Sequence, residues 1–277
     1  VGWPVRGFAQ TDKSQPSVNC VCRSKDQMLV VTGDNFGHLR LFNYPCDKEG
    51  ALFKTYSGHA SVVTNARFTA NDEYVVTTGG ADLCLFQWKV RFEDPDVGIQ
   101  NTSDAVRSGP VFAGERLSLQ DYAVRLRDRQ EAQRLKDEGS GDVATMDIKP
   151  WERALVLPTD TEVDNRPPPA QLDLEFVYGF NGRLARSNVF YNAAGSVVFH
   201  AAAVGVVYDK RDHRQVFNAG VHDNEIIALT LDPTGRYAAT SQLGDEPVVQ
   251  IWDAASGARI TTFGQIHRRG VGCLSFS

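Results

Sequence analysis

Short runs of β-branched, aromatic and Leu residues, separated by polar turn clusters, recur through most of the chain. Up to residue 90 they predict strands at 18–23, 28–32, 38–44, 52–56, 62–68, 74–78 and 83–90. The breaks carry Gly33-Asp34-Asn35, Asn71-Asp72 and Gly79-Gly80-Ala81-Asp82. These residue types supply tight turns, and short strands at such regular spacing predict an all-β sandwich, barrel or propeller. From residue 172 the runs resume. Strands at 172–178, 197–200, 204–208 and 215–218 are expected to form one unit, those at 226–231, 237–241, 248–252 and 259–263 the next, and 271–276 opens a third.

The period fails between 91 and 170. That stretch holds Pro95, Gly109-Pro110 and Pro167-Pro168-Pro169, and it is too long for an ordinary loop inside a compact domain. It reads as an interdomain connector. A short helix is expected over 118–136, started by a capping-box-like Ser118 with Asp121 and stopped by Gly139-Ser140-Gly141. Leu119, Tyr122, Leu126 and Leu135 give it a narrow apolar stripe. Six basic and six acidic side chains between Glu115 and Glu138 rule out a polybasic arm. Lys149-Pro150-Trp151 and the apolar run 154–157 look like an anchor for a neighbouring surface.

An internal repeat chooses among the all-β architectures. Gly58-His59 is followed 29 residues after the His by Trp88, and Val221-His222 is followed 30 residues after the His by Trp252-Asp253. This resembles the Gly-His to Trp-Asp spacing of WD40 repeats. In that arrangement a hydrogen-bond chain crosses each four-stranded blade of a propeller. A His in the loop entering the first strand meets an Asp in the turn before the third, and a Ser or Thr hydroxyl that also receives the indole N–H. The resemblance assigns these roles to His59, Thr78, Asp82 and Trp88. In the second repeat His222, Thr240 and Trp252 fit; the turn is longer, and Asp245 is the candidate fourth member. An earlier repeat at 18–44 has Phe42 in the place of Trp and Phe36 in the place of Asp, so its stability is expected to come from packing.

The stretch from Leu172 to Arg183, followed by Asn188, resembles the HELP motif (hydrophobic EMAP-like protein motif) of the echinoderm microtubule-associated protein-like family. The residues that carry it are Leu174, Phe176, Tyr178, Gly179, Gly182, Arg183 and Asn188, with Phe176 where the family usually has Trp. Residues 33–46 resemble the penultimate blade of a family propeller, 58–88 the final blade, and Lys149-Pro150-Trp151 a linker between tandem modules. The resemblance implies tandem joined propellers. Its expected layout is the final WD40 blades of one module at 1–90, a connector at 91–170, and HELP with the first blade or blades of the next module at 171–277. The apolar HELP side chains are expected to be buried where two propellers meet, with Arg183 and Asn188 satisfying local backbone. The chain, starting and stopping in mid-pattern, reads as a slice of a longer member with several modules.

Composition narrows the functional classes. A formal net charge of −5 gives no global field for nucleic acid or an anionic membrane. Acidic microtubules would need a local basic patch or a non-electrostatic anchor. Cys20, Cys22, Cys46, Cys84 and Cys273 follow neither a disulfide framework nor a zinc or redox spacing, which fits a reduced, intracellular setting. No signal peptide or membrane-length apolar run is seen, so the sequon at Asn101 carries little weight.

His59 and His222 lack a second His or Cys at ligand spacing, so no metal is expected. No nucleophile elbow or phosphate loop is present, so neither a cofactor nor enzymatic activity is expected. His267-Arg268-Arg269 is a small basic loop tip that reads as a solvated turn. The resemblance implies a non-enzymatic microtubule-associated scaffold of the cytoskeleton or ciliary axoneme, with tubulin and other cytoskeletal or axonemal proteins as partners. The alternative is a general WD40 protein-interaction scaffold without tubulin contact. Residues that touch a partner are not legible, because propeller faces are built from loop tips.

Overall fold

A computed structural model describes residues 18–46, 51–92, 166–182, 185–244, 246–264 and 267–277. The expected helix at 118–136, Lys149-Pro150-Trp151, the run 154–157, Arg183 and Asp245 lie outside the described residues. What is described is all β: four antiparallel sheets of four strands, with no helix among the described residues.

The first sheet is β1 (Val18–Arg23), β2 (Leu29–Asp34), β3 (Leu39–Asn43) and β4 (Phe53–Tyr56). The second is β5 (Val63–Phe68), β6 (Tyr74–Gly79), β7 (Leu85–Phe92) and β8 (Ala170–Tyr178). The third is β9 (Val189–Tyr191), β10 (Val197–Ala201), β11 (Val204–Asp209) and β12 (Arg214–Asn218). The fourth is β13 (Ile226–Leu231), β14 (Tyr237–Gln242), β15 (Val249–Asp253) and β16 (Arg259–Phe263). Each is a meander in chain order. Asp and Asn side chains close the turns by accepting backbone N–H groups: Asp26 from Met28, Asn192 from Ala194 and Ser196, Asp232 from Arg236 and Tyr237, Asp253 from Ala255 and Ser256.

The sheets stack face to face in sequence, as blades do. β1 lies along β5, β8 along β12, and β9 and β10 against β13. Leu29, Val31, Leu39 and Leu41 of the first sheet share one core with Val75, Phe86, Trp88 and Leu172 of the second, and that core continues into Val204 and Val206 of the third. Val198 and Val207 meet Leu229, Ala238 and Trp252 in a second core between the third and fourth sheets. Backbone contacts stitch the series together: Ala203 N–H donates to Gly58 O, Ile226 N–H to Ala202 O and Ala193 N–H to Gly235 O.

One strand stands in a different sheet from the one its sequence suggested. Residues 172–178 were expected beside 197–218; instead β8 pairs with β7 over eight residue pairs, from Leu85–Tyr178 to Phe92–Ala170. Without β8, the ladder groups of β7 would form an open edge. The place expected for 172–178 is taken by β9, a three-residue strand with no period of its own in the sequence. The boundary drawn at 170/171 therefore falls inside a strand. The run 271–276 is not a strand; only Gly270 forms a bridge, to Leu243.

If β8 closes the second sheet, cutting the chain between 93 and 165 should leave two fragments that stay together. A specific protease site inserted there and cleaved under native conditions should yield co-eluting fragments on gel filtration. Separation without denaturant would contradict the β7–β8 pairing.

Candidate functional site

The second and fourth sheets each bury a polar relay. In the second, His59 Nδ1 lies 2.8 Å from Asp82 Oδ2 and His59 Nε2 lies 2.9 Å from Thr77 Oγ1. The Trp88 indole N–H donates to the same Thr77 oxygen at 3.0 Å. One proton arrangement satisfies all three contacts: indole to hydroxyl, hydroxyl to Nε2, and Nδ1–H to carboxylate. Asp82 also accepts from Ala60 N and Cys84 N, and Ser61 Oγ accepts from Ala81 N and Asp82 N. Phe86 stacks on the His59 ring at 4.2 Å between centroids, sealing the relay.

The hub is Thr77, not Thr78. Side chains alternate along β6, and Val75 and Thr77 face the core. Thr78 points to the other face, where its hydroxyl meets Thr64 at 2.9 Å. The signal was available in the sequence. His222 reaches its hydroxyl 18 residues on at Thr240, and the same count from His59 gives Thr77.

In the fourth sheet His222 Nε2 lies 2.9 Å from Thr240 Oγ1, which receives the Trp252 indole N–H at 3.2 Å. The partner of His222 Nδ1 is Gln242 Oε1 at 2.8 Å, the position for which Asp245 was the candidate. Gln242 in turn donates to Asp223. A neutral amide thus stands where the second sheet has a carboxylate. Burial pushes the His222 imidazole down to about 4, against the upward pull of Gln242 and Asp223. Burial, helped by the proximity of His222, also takes His200 to about 4.

Among the described residues the first sheet shows no such relay. Phe42 is buried with Val30 and Cys46 and packs on Phe53 at 5.2 Å. Phe36 is exposed. Asp34 is the buried carboxylate here, accepting from Phe36 N and His38 N at 2.9 Å each. Burial would raise its pKa, but hydrogen bonding and charge from His38 outweigh it and hold the carboxyl below its usual value.

The HELP residues divide between two faces of β8. A bulge between Gln87 and Trp88 of the ladder sets Glu175 out of register. Leu172, Leu174 and Val177 consequently all pack into the first core, while Phe176 and Tyr178 turn to the opposite face. Burial of the motif is thus partial. Phe176 sits against Tyr208 and His213 of the third sheet, and Tyr178 is 46% exposed. Gln215 clamps the outer edge of β8, accepting from Val177 N at 2.8 Å and donating to Val177 O at 3.1 Å. The chain then leaves β8 through Gly179 at φ +134°, where a Cβ would come within 2.9 Å of Leu83 O. Gly182 follows beside the Phe180 ring. Asn188 is buried and donates to Asn181 O at 3.2 Å, and Asn181 donates to Glu225. Burial raises the Glu225 carboxyl, partly offset by that hydrogen bond.

Among the described residues no three His, Cys, Asp or Glu side chains are grouped to hold a metal. No described helix is long and apolar enough to cross a membrane. The arrangement is a set of stacked, internally braced sheets: a segment of WD40-type β-propeller. Residues 1–90 match the family model described as echinoderm microtubule-associated protein second beta-propeller, and residues 167–206 match that of the HELP motif. Mouse echinoderm microtubule-associated protein-like 1 is 40% identical over 90 residues, covering 32% of this chain and 11% of that protein. The ciliary WD repeat-containing protein ctxp80 of Euplotoides octocarinatus is 36% identical over 139 residues, 44% of this chain and 19% of that one. Over these segments the chain is homologous to both. It spans only about a tenth to a fifth of the length of these curated relatives. Among solved structures, Saccharomyces cerevisiae Sqt1 overlaps 91% of this chain and 49% of its own at 12% identity and a TM-score of 0.28, too loosely to define anything further.

Two outcomes follow from the relays. Thr77→Val strands the His59 and Trp88 nitrogens and should cost about 2–4 kcal/mol, whereas Thr78→Val should cost under about 1 kcal/mol; urea unfolding midpoints measure both, and the reverse order would place the hub at Thr78. An unfolded His takes a proton below its ordinary value of 6.5, while His200 and His222 resist until about 4. Their contribution to stability is therefore complete above pH 6.5 and lost as pH falls toward 4, on the order of 3 kcal/mol for each. Midpoints between pH 7 and 4 should show that decline, and a flat profile would mean the rings are not held neutral.

Proposed function

We propose that this chain is part of a non-enzymatic, microtubule-associated WD40 scaffold of the cytoskeleton or ciliary axoneme. One observation carries the reading. The two family segments lie apart in sequence, at 1–90 and 167–206, yet the strand opening the second completes the sheet that ends the first. In this proposal residues 1–90 close one module, and the HELP segment, while leading into the next, also braces the one before it.

Rigid joining suits a protein that decorates a polymer. Stacked sheets present broad, preformed faces, and serial modules convert weak single contacts into multivalent binding. The relay residues His59, Thr77, Asp82, Trp88, His222, Thr240, Gln242 and Trp252 act as braces, and Leu174, Phe176, Tyr178, Gly179, Gly182 and Asn188 set the joint. Partner contacts fall to exposed loops.

Full-length protein should sediment with taxol-stabilised microtubules at low salt, with enrichment falling as salt rises if charge contributes. Absence from the pellet at low salt would remove direct tubulin contact. Affinity capture after microtubule depolymerisation then tests the broader class: a partner set that persists without tubulin indicates a general interaction scaffold.

A further inference from the structure

We propose that the seam between the third and fourth sheets is a built hydration site, holding ordered water among buried polar side chains on two facing cross-strand rows. The first row crosses the third sheet as His200, Gly205 and Asn218, paired directly across β10, β11 and β12. The second crosses the fourth as Thr240, Gln250 and Thr262, paired across β14, β15 and β16. Directly opposed residues share a face, and the two faces meet at Gly205, where a Cβ would lie 2.9 Å from Trp252 Cζ2 and 3.3 Å from Asn218 Cβ. Gln250 lies two residues from Trp252 on the same strand and so shares its face.

Several atoms on these rows have no hydrogen-bond partner among the described residues: both ring nitrogens of His200, both amide atoms of Gln250, Asn218 Oδ1 and Thr262 Oγ1. His200 and Gln250 are wholly buried and Asn218 is 4% exposed. Neutral imidazole offers one donor and one acceptor, Gln250 both kinds, and Asn218 Oδ1 an acceptor. A buried donor or acceptor left alone costs about 1–3 kcal/mol, so six along one seam favour a bridging ligand. Water fits, since it needs two to four polar partners of mixed sense.

The seam between the first and second sheets provides the contrast. There the corresponding rows are Gly33, Leu39 and Tyr56 against Thr77, Phe86 and Val177. Phe86 occupies the place of Gln250 and stacks on His59, leaving that seam apolar around its relay. The same position is thus filled by an aromatic ring in one seam and by a polar amide, beside the Trp252 core, in the other.

A high-resolution crystal structure of the full chain should show water density within hydrogen-bonding distance of His200 and Gln250. Deuteron relaxation dispersion in solution should then detect long-lived internal water that is lost in Gln250→Phe, a variant copying the Phe86 arrangement. Direct pairing of His200, Asn218 and Gln250 with one another, with no solvent between them, would overturn the proposal. So would an unchanged relaxation signal in a folded Gln250→Phe. Should that variant fail to fold, the density in the unaltered chain decides alone.

Discussion

The ladder between β7 and β8 joins residues 85–92 to residues 170–178, and the rest of the architecture depends on it. It supplies the fourth strand of the second sheet and delivers Leu172 and Val177 to the core shared by the first three sheets. It also carries Phe176 to the third sheet and gives Gln215 a strand edge to clamp. Neighbouring sheets hold to β8 from the other side as well. Lys54 Nζ donates to Ala170 O at 3.1 Å and Leu172 N–H to Tyr56 Oη at 3.0 Å. A single strand is thus bonded to β7 and touched by the first and third sheets.

Around that ladder the sheets are braced by different means. The second uses a carboxylate–imidazole–hydroxyl–indole relay and an aromatic seal. The fourth replaces the carboxylate by Gln242, and burial there holds the His222 imidazole down against the upward pull of Gln242 and Asp223. The first dispenses with the relay and relies on Phe42 in a small local core, with Asp34 organising the turn after β2. Repeats of one architecture are therefore held by different side-chain sets: a charged relay, an amide-centred relay and an aromatic core.

Much of this was legible in the sequence. Alternating apolar residues marked nearly every strand before residue 91, and the paired His-to-Trp spacings marked the braced sheets. What stayed hidden was pairing. A strand's own pattern says which of its faces is apolar but not which neighbour it joins, so 172–178 was assigned to the sheet that follows it. The bulge at Glu175 compounds this, since it shifts the alternation midway and places Leu174 and Val177 on one face. The Thr77–Thr78 choice turned on a single-residue parity that the second repeat resolves. Gln242 is hidden in the sequence because a neutral amide stands where the repeat pattern leads to a carboxylate. At three residues, β9 is too short to show a period.

Because β7 and β8 are hydrogen-bonded neighbours, the chain that leaves Phe92 must return to Ala170 whatever its length. Closing such a loop carries an entropic cost that grows only logarithmically, so doubling the intervening chain adds about 0.6 kcal/mol. The pairing itself therefore places little demand on how many residues stand between the two strands.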